Sequence, residues 1–401
     1  MICFAICSVV AVAIPGAAQE SPLESGPWAR ALDRSVPAVV ALRVAATRPF
    51  DTETATVANA TGFVVDAERG LILTNRHVVM PGPVTAEAVF VNHEKVDVHP
   101  VYRDPVHDFG FYRFDPEDVR FMELREIRLA PERARVGREI RIIGNDAGEK
   151  LSILAGTLAR LDRRAPRYGP SQYNDFNTFY YQAASGTSGG SSGSPVIDRR
   201  GDALALNAGA NRRAASSFFL PLHRGVRALT LLPEGQHVSR GTLQTVLVHE
   251  SYDELRRLGL PPEIERGARE RFPDRSGLLV VDSTVDGSAA RAALSPGDVL
   301  LDIEGEALAD FGALEEIIDE AVGRELSLRV ARGGELLAVR IPVEDLHALT
   351  PAEFLEWSGA ILHPLSYQQA RNHGLPPGSL YVASSGYALS RAGIPSRAVL
   401  T

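Results

Sequence analysis

Ala184-Ser185-Gly186-Thr187-Ser188-Gly189-Gly190-Ser191-Ser192-Gly193-Ser194-Pro195-Val196-Ile197-Asp198 is a glycine and serine run enclosed by apolar residues, with Phe179-Tyr180-Tyr181 ahead of it and Pro195-Val196-Ile197 closing it. A flexible linker would continue into further polar residues. A short Gly/Ser segment embedded between apolar strands reads instead as a tight loop that needs the backbone freedom of glycine. Two of its serines, Ser188 and Ser192, fit Gly-x-Ser-Gly.

On both sides of this loop the chain repeats one pattern. From Val36 to about Leu232, short apolar runs alternate with polar turns: 38–44, 60–65, 71–73, 88–91, 109–114, 139–143, 151–161, 179–184, 196–198, 203–208 and 217–221. So many short strands predict a mainly β fold, a pair of small antiparallel barrels. The charged stretch 115–131, with Pro116 and Pro131, is the expected connection between them.

A serine becomes a nucleophile when a base stands within hydrogen-bond reach, a buried carboxylate fixes the tautomer of that base, and backbone donors meet the oxyanion. Ile72-Leu73-Thr74-Asn75-Arg76-His77-Val78-Val79 ends an apolar strand in a histidine. Taken alone, such a histidine is as often a surface residue as a base. In Asp104-Pro105-Val106-His107-Asp108-Phe109-Gly110, Asp108 directly precedes a strand and can be buried against the barrel, whereas Asp104 falls before a proline in what reads as an exposed turn. His107 points away from Asp108 if the strand has begun, which makes it a poor rival for the base.

These segments resemble the HtrA/Deg serine proteases, which carry Leu-Thr-x-x-His-Val-Val where this chain has residues 73–79. Residues 190–197 resemble the Gly-x-Ser-Gly-Gly-Pro pattern of trypsin-like proteases, with Ser194 in place of the second glycine. The proline register selects Ser192 over Ser188. The resemblance implies a trypsin-like double β-barrel with a triad of His77, Asp108 and Ser192, and an oxyanion hole formed by the N–H groups of Gly190 and Ser192. Residues 144–149, 173–179 and 240–244 look like the fungal nuclear branch of that family. That branch implies an ATP-independent endopeptidase of unfolded or damaged polypeptides with tandem PDZ units, and the family implies a homo-oligomer, a trimer. No acidic residue lies between Ala183 and Ser192, so cleavage after Lys or Arg is not expected. Asn207, Ala208 and Gly209 are placed to pair with substrate backbone and leave a small apolar pocket, which predicts cleavage after small or medium aliphatic residues.

Beyond the protease domain, taken as 36–235, a second unit spans 240–346. Its Leu294, Gly297-Asp298-Val299-Leu300 and Ile303-Glu304-Gly305 resemble the Leu-x-x-Gly-Asp signature of a PDZ domain, with a helix expected over 311–321 and a strand over 325–332. In such a unit Arg240-Gly241-Thr242-Leu243 is the loop expected to receive a peptide's C-terminal carboxylate. Ser251-Tyr252, Arg256, Gly259-Leu260 and Pro261-Pro262 recur as Ser366-Tyr367, Arg371, Gly374-Leu375 and Pro376-Pro377, so a partial second PDZ-like unit is expected over 357–401. It ends before the helix and return strand of the first copy, and is expected to pack on its neighbours rather than bind peptides.

The 401-residue chain carries a formal charge of -8, without the clustered Lys and Arg that a nucleic-acid footprint needs. Residues 1–18 are uncharged and apolar and end in Pro15-Gly16-Ala17-Ala18, which reads as a secretory signal, with a membrane anchor as the alternative. Export to a periplasm follows from the first reading. Both cysteines, Cys3 and Cys7, lie in that segment, so the remainder holds neither disulfide nor thiolate metal site, and no cofactor or metal is expected. The competing reading is a chaperone or peptide-binding scaffold whose protease site is mostly at rest.

Overall fold

In the first strand, Val39, Val40, Leu42 and Val44 are buried while Arg43 faces solvent, the alternation that lays one face of a strand on a core. A computed structural model describes residues 26–145, 151–169, 172–183, 190–211 and 216–400. Residues 1–25, Ser188 and much of 144–149 therefore fall outside the described residues.

Strands β1 (Val39–Ala46), β2 (Thr56–Asp66), β3 (Leu71–Thr74), β4 (Val84–Val89), β5 (Lys95–Asp97), β6 (His99–Arg103) and β7 (Gly110–Arg113) form one curled antiparallel sheet in the order β5-β4-β1-β2-β3-β7-β6. A second group closes into a barrel: β8 (Glu139–Gly144), β9 (Ser152–Arg164), β10 (Phe179–Ala183), β11 (Pro195–Ile197), β12 (Ala203–Asn211) and β13 (Ser216–Pro221). The fold is thus mainly β, as the alternating runs required. The sequence pattern passed over β5 and β6, which are short and interrupted by charge and by Pro100. Between β7 and β8 the charged connection holds only two single 3-10 turns.

The region after Arg240 builds a six-stranded antiparallel sheet of Thr245–Ser251, Gly277–Thr284, Val299–Ile303, Glu325–Arg332 and Glu335–Pro342, with Thr245–Ser251 at one edge and the short Glu306–Ala307 paired to Val299–Ile303. The helix Phe311–Glu320 is capped by Asp310, which accepts from the Ala313 N–H, and packs Phe311, Leu314 and Ile318 onto that sheet. The C-terminal region is a four-stranded sheet of Leu355–Trp357, Ala360–Pro364, Leu380–Ser385 and Ala398–Leu400, with the helix Tyr367–His373.

The three parts share an apolar core where they meet. Val106 and Phe176, from loops of the curled sheet and the barrel, pack with Val246, Val285 and Leu346 of the middle unit and Leu365, Tyr367, Ala370 and Tyr381 of the last. Each Val, Leu and Phe among them contributes about 1.5–3 kcal/mol when removed from water. The C-terminal unit is therefore seated on its neighbours, with Tyr381 and Val382 buried and Leu380 and Leu400 partly exposed.

Candidate active site

Strand β3 delivers Thr74 into the core and ends in the turn Asn75-Arg76-His77. Asn75 fixes this turn, since its carbonyl accepts from the N–H groups of Val78 and Val79, both at 3.1 Å. Its side-chain Nδ2 donates to the Asp108 carbonyl at 3.0 Å, tying the histidine turn to the aspartate loop. The Asp108 carboxylate lies 2.9 and 3.0 Å from His77 Nδ1 through its two oxygens, and also accepts the His77 N–H at 3.2 Å. Asp108 is buried while a third of the His77 side chain reaches solvent. A carboxylate on Nδ1 makes that nitrogen the proton bearer, so Nε2 is the free base. Burial disfavours the imidazolium, but the charge and hydrogen bond of Asp108 outweigh it and hold the His77 pKa above the usual histidine value.

The serine loop is bound to the other side of the same strands. Thr61 of β2 donates its N–H to the Ser192 carbonyl at 2.8 Å and its Oγ1 to the Gly190 carbonyl at 3.0 Å, while Thr74 Oγ1 donates to the Thr61 carbonyl at 2.7 Å. Gly193 has φ of +84°, and a Cβ there would lie 2.0 Å from the Thr61 carbonyl oxygen and 2.3 Å from Thr74 Oγ1. Only glycine fits, and the half-buried Ser192 is thereby held against Thr61 of β2, the strand paired with β3. The unusual Ser194 has a matching void: a Cβ on Gly144 would fall 1.8 Å from its Oγ.

Of the residues read as a substrate strand, Asn207 faces inward. Its carbonyl accepts from Gly193 N–H at 3.0 Å, its N–H donates to Ser194 at 2.9 Å, and its Nδ2 donates to the Ser191 carbonyl at 2.7 Å. It therefore supports the serine loop, with its backbone already committed. Ala208 lies at a register shift between β12 and β13, and the Tyr168 hydroxyl stands over Gly209.

Asp104, read as an exposed turn residue, is buried. Its Oδ1 accepts from the N–H groups of Val106 at 2.9 Å and His107 at 2.7 Å, and Oδ2 accepts from the Tyr102 hydroxyl at 2.9 Å. The charge is compensated by Arg240, whose Nε lies 3.0 Å away. Arg240 is thus not at an open carboxylate-binding loop. It is buried, as are Thr242 and Leu243, and the Gly241 N–H is occupied by Asp319 Oδ1 at 2.8 Å.

The adjacent strand edge is occupied too. Asn177, from the segment ahead of β10, accepts the Leu247 N–H on Oδ1 at 2.7 Å and donates from Nδ2 to the Thr245 carbonyl at 3.0 Å. Phe179 sets its ring edge-on to Phe311 at 4.9 Å and to His249 at 5.5 Å. A segment ahead of β10 thus lies along that strand edge and against the helix Phe311–Glu320.

Two site residues escaped the sequence reading. Asp175 is buried behind Asp108: its Oδ2 accepts from the Tyr180 hydroxyl at 2.9 Å and from the Asp108 N–H at 3.3 Å. Burial, and then the Asp108 charge, push its carboxyl up to about 7. Its aromatic setting, Tyr173 to Tyr181, was the available sign of a buried acid. Arg76 turns inward from the residue before His77, with Nη2 2.8 Å from Asp51 Oδ2 and Nε donating to the Asp104 carbonyl at 2.8 Å. Asp51 in turn takes the Ser366 hydroxyl, and its N–H donates to His363 Nε2 at 3.0 Å, joining the C-terminal unit to the histidine turn.

A curled sheet and a closed barrel, with a His-Asp pair on one and a Gly-x-Ser-Gly loop on the other, define a trypsin-like peptidase fold. Residues 60–206 match the trypsin-like peptidase domain and residues 348–401 a PDZ-like domain. The chain is 57% identical over 392 residues to Protease Do-like 7 of Arabidopsis thaliana, covering 95% of this chain and 36% of that protein. It is 49% identical over 355 residues to a pro-apoptotic serine protease of Meyerozyma guilliermondii, covering 88% of this chain and 36% of that protein. Among solved structures, the HtrA-type protease AlgW with tripeptide aligns with a TM-score of 0.59 at 22% identity, over 79% of this chain and 97% of that one. The serine endoprotease from Yersinia pestis aligns at 0.52 and 17% identity, over 79% of this chain and 97% of that one. The chain belongs to the HtrA/Deg family of trypsin-like proteases with PDZ domains. It spans little more than a third of the curated relatives it matches. Because the plant protein is matched at higher identity than the fungal one, the likeness is not particular to the fungal nuclear branch.

Proposed function

We propose that the protein is a serine endopeptidase of unfolded or damaged polypeptides, acting without ATP through an acyl-enzyme. His77 Nε2 takes the proton of Ser192 Oγ as the hydroxyl attacks the scissile carbonyl. Asp108 holds the tautomer and stabilises the imidazolium that forms, and His77 then returns the proton to the leaving amine. The N–H groups of Gly190 and Ser192 meet the oxyanion, each such donor contributing roughly 100- to 1000-fold in rate. The observation that carries this reading is the pair of contacts from Asp108 to His77 Nδ1, at 2.9 and 3.0 Å, in a buried setting.

Small residues Ala208 and Gly209, and a loop without an acid, favour substrates with small or medium aliphatic side chains before the cleaved bond. Trimer formation, and export directed by residues 1–18, belong to the same reading; among the described residues no helix is long and apolar enough to cross a membrane. A scaffold that holds C-terminal peptides in the groove of the middle unit is disfavoured while Asn177 occupies that edge. Casein degradation by the wild type and by Ser192→Ala tests the proposal. Equal degradation by both would reject it.

A further inference from the structure

Arg240 lies 133 positions along the chain from His107, outside the barrels, yet its Nη2 reaches His107 Nδ1 at 2.7 Å with both side chains buried. An arginine can only donate, so Nδ1 is an acceptor and the imidazole is neutral, with its proton on Nε2. Burial and then the charge of Arg224 bring the His107 pKa down to about 3, in keeping with that state. Its Nε2 faces Asp175 Oδ1 at 3.7 Å, and Asp175 Oδ2 accepts the Asp108 N–H. The same arginine stands 3.0 Å from the Asp104 carboxylate, whose other oxygen accepts the His107 N–H at 2.7 Å. Arg240 therefore grips the loop 104–108 twice, through the carboxylate at its start and through the ring beside Asp108.

The far end of Arg240 is fixed as firmly. Nη1 lies 2.6 Å from Asp319 and 3.2 Å from Glu315, both on the helix Phe311–Glu320, and these acids also meet Arg227 at 3.3 Å and Arg224 at 3.6 Å. Three buried acids thus face three arginines. A balanced buried network has few alternative geometries, because removing one partner leaves an uncompensated charge.

We infer that Arg240 and His107 are positioning residues for the proteolytic reaction, through which the PDZ unit sets the place of Asp108 beside His77. The inference rests on the proposed triad. It makes residues 240–346 part of the catalytic apparatus as well as a neighbour of it. Misplacement of a reacting group by about 1 Å can cost roughly a hundredfold in rate.

The test uses the full chain and a fluorogenic peptide, with kcat, KM and Tm measured for Arg240→Lys, His107→Leu, their double and His107→Asn. Lysine keeps a cation among Asp104, Glu315 and Asp319 but lacks the planar fork that reaches Nδ1. Asn keeps an acceptor near the Nδ1 position. The expected result is a loss of kcat of about ten- to a hundredfold in Arg240→Lys and in His107→Leu, with KM within about twofold. The double should lose no more than the worse single, since both break one path, and His107→Asn should recover most of kcat. Unchanged kcat in Arg240→Lys, additive losses, or a kcat in His107→Asn as low as in His107→Leu would overturn the inference. Should one of Arg240→Lys and His107→Leu fold poorly, the kcat of the other at wild-type Tm decides, and an unchanged value overturns the inference. Labelling of the wild type by a fluorophosphonate separates the two layers. No label at Ser192 overturns the triad itself, while a labelled wild type with kcat unchanged in Arg240→Lys overturns only the role of Arg240.

Discussion

Asn177 meets Leu247 as the backbone of a paired strand would, accepting its N–H at 2.7 Å while donating to the Thr245 carbonyl at 3.0 Å. In β-addition a peptide makes these same bonds to the edge of a PDZ sheet. A peptide must therefore displace Asn177 and the neighbouring Phe179 ring before it can enter.

Asn177→Ala is expected to raise affinity for a hydrophobic C-terminal peptide by roughly ten- to thirtyfold, since it removes two competing hydrogen bonds worth about 1 kcal/mol each. Titration of the full chain, with the amidated peptide alongside, measures this. Equal affinity in wild type and variant would show that the groove is not closed by this segment.

How far the sequence reaches follows from where the contacts come from. His77, Asp108 and the Ser192 loop are legible because each stands where a strand meets a turn, a signal contained in fewer than a dozen consecutive residues. The buried partners are not of that kind. Asp175, Asn177 and Arg240 acquire their roles from residues 67, 70 and 133 positions away, and no local pattern marks them. Arg240 shows the cost of a local reading: at the head of a Gly-Thr-Leu segment it resembles a carboxylate-binding loop, but the carboxylates it meets are Asp104, Glu315 and Asp319. Strands β5 and β6 were lost for the opposite reason, since short edge strands carry the charges and the proline that keep such edges from pairing.

The two aspartates of the loop 104–108 should separate cleanly. Asp108→Asn is expected to lower kcat by about 10^4 while the fold persists, because an amide holds the wrong tautomer of His77. Asp104→Asn leaves His77 in contact with Asp108 but strips the charge from beneath Arg240, so it should lower Tm and cost kcat no more than the roughly ten- to hundredfold expected of Arg240→Lys. A loss of about 10^4 in kcat from Asp104→Asn, with Asp108→Asn active, would reverse the assignment.

Asp175 should make stability depend on pH. Its folded pKa is raised from 3.8 to about 7, so between those values the folded state holds a proton that the unfolded state has released. The stability this group contributes is present at low pH and declines as pH rises toward its folded pKa. Asp175→Asn removes that slope. The Tm of the variant relative to wild type should climb across the same interval, and a difference that stays flat would show that the carboxyl is ionised throughout.

The C-terminal unit should act as a structural member. Tyr367 is buried among Val106, Phe176 and Leu346, so Tyr367→Ala is expected to destabilise the full chain by about 3 kcal/mol. Denaturant unfolding of wild type and variant gives the value. An unchanged midpoint would mean that residues 357–401 contribute nothing to the packing of the protease domain.

Ser192, held against Thr61 of β2, is the proposed nucleophile. Casein degradation by the wild type, Ser192→Ala and Ser188→Ala, with fluorophosphonate labelling followed by peptide mapping, tests it most directly. The expected result is a label on Ser192, abolished proteolysis in Ser192→Ala and substantial proteolysis in Ser188→Ala. A label on Ser188, or undiminished degradation by Ser192→Ala, would contradict it.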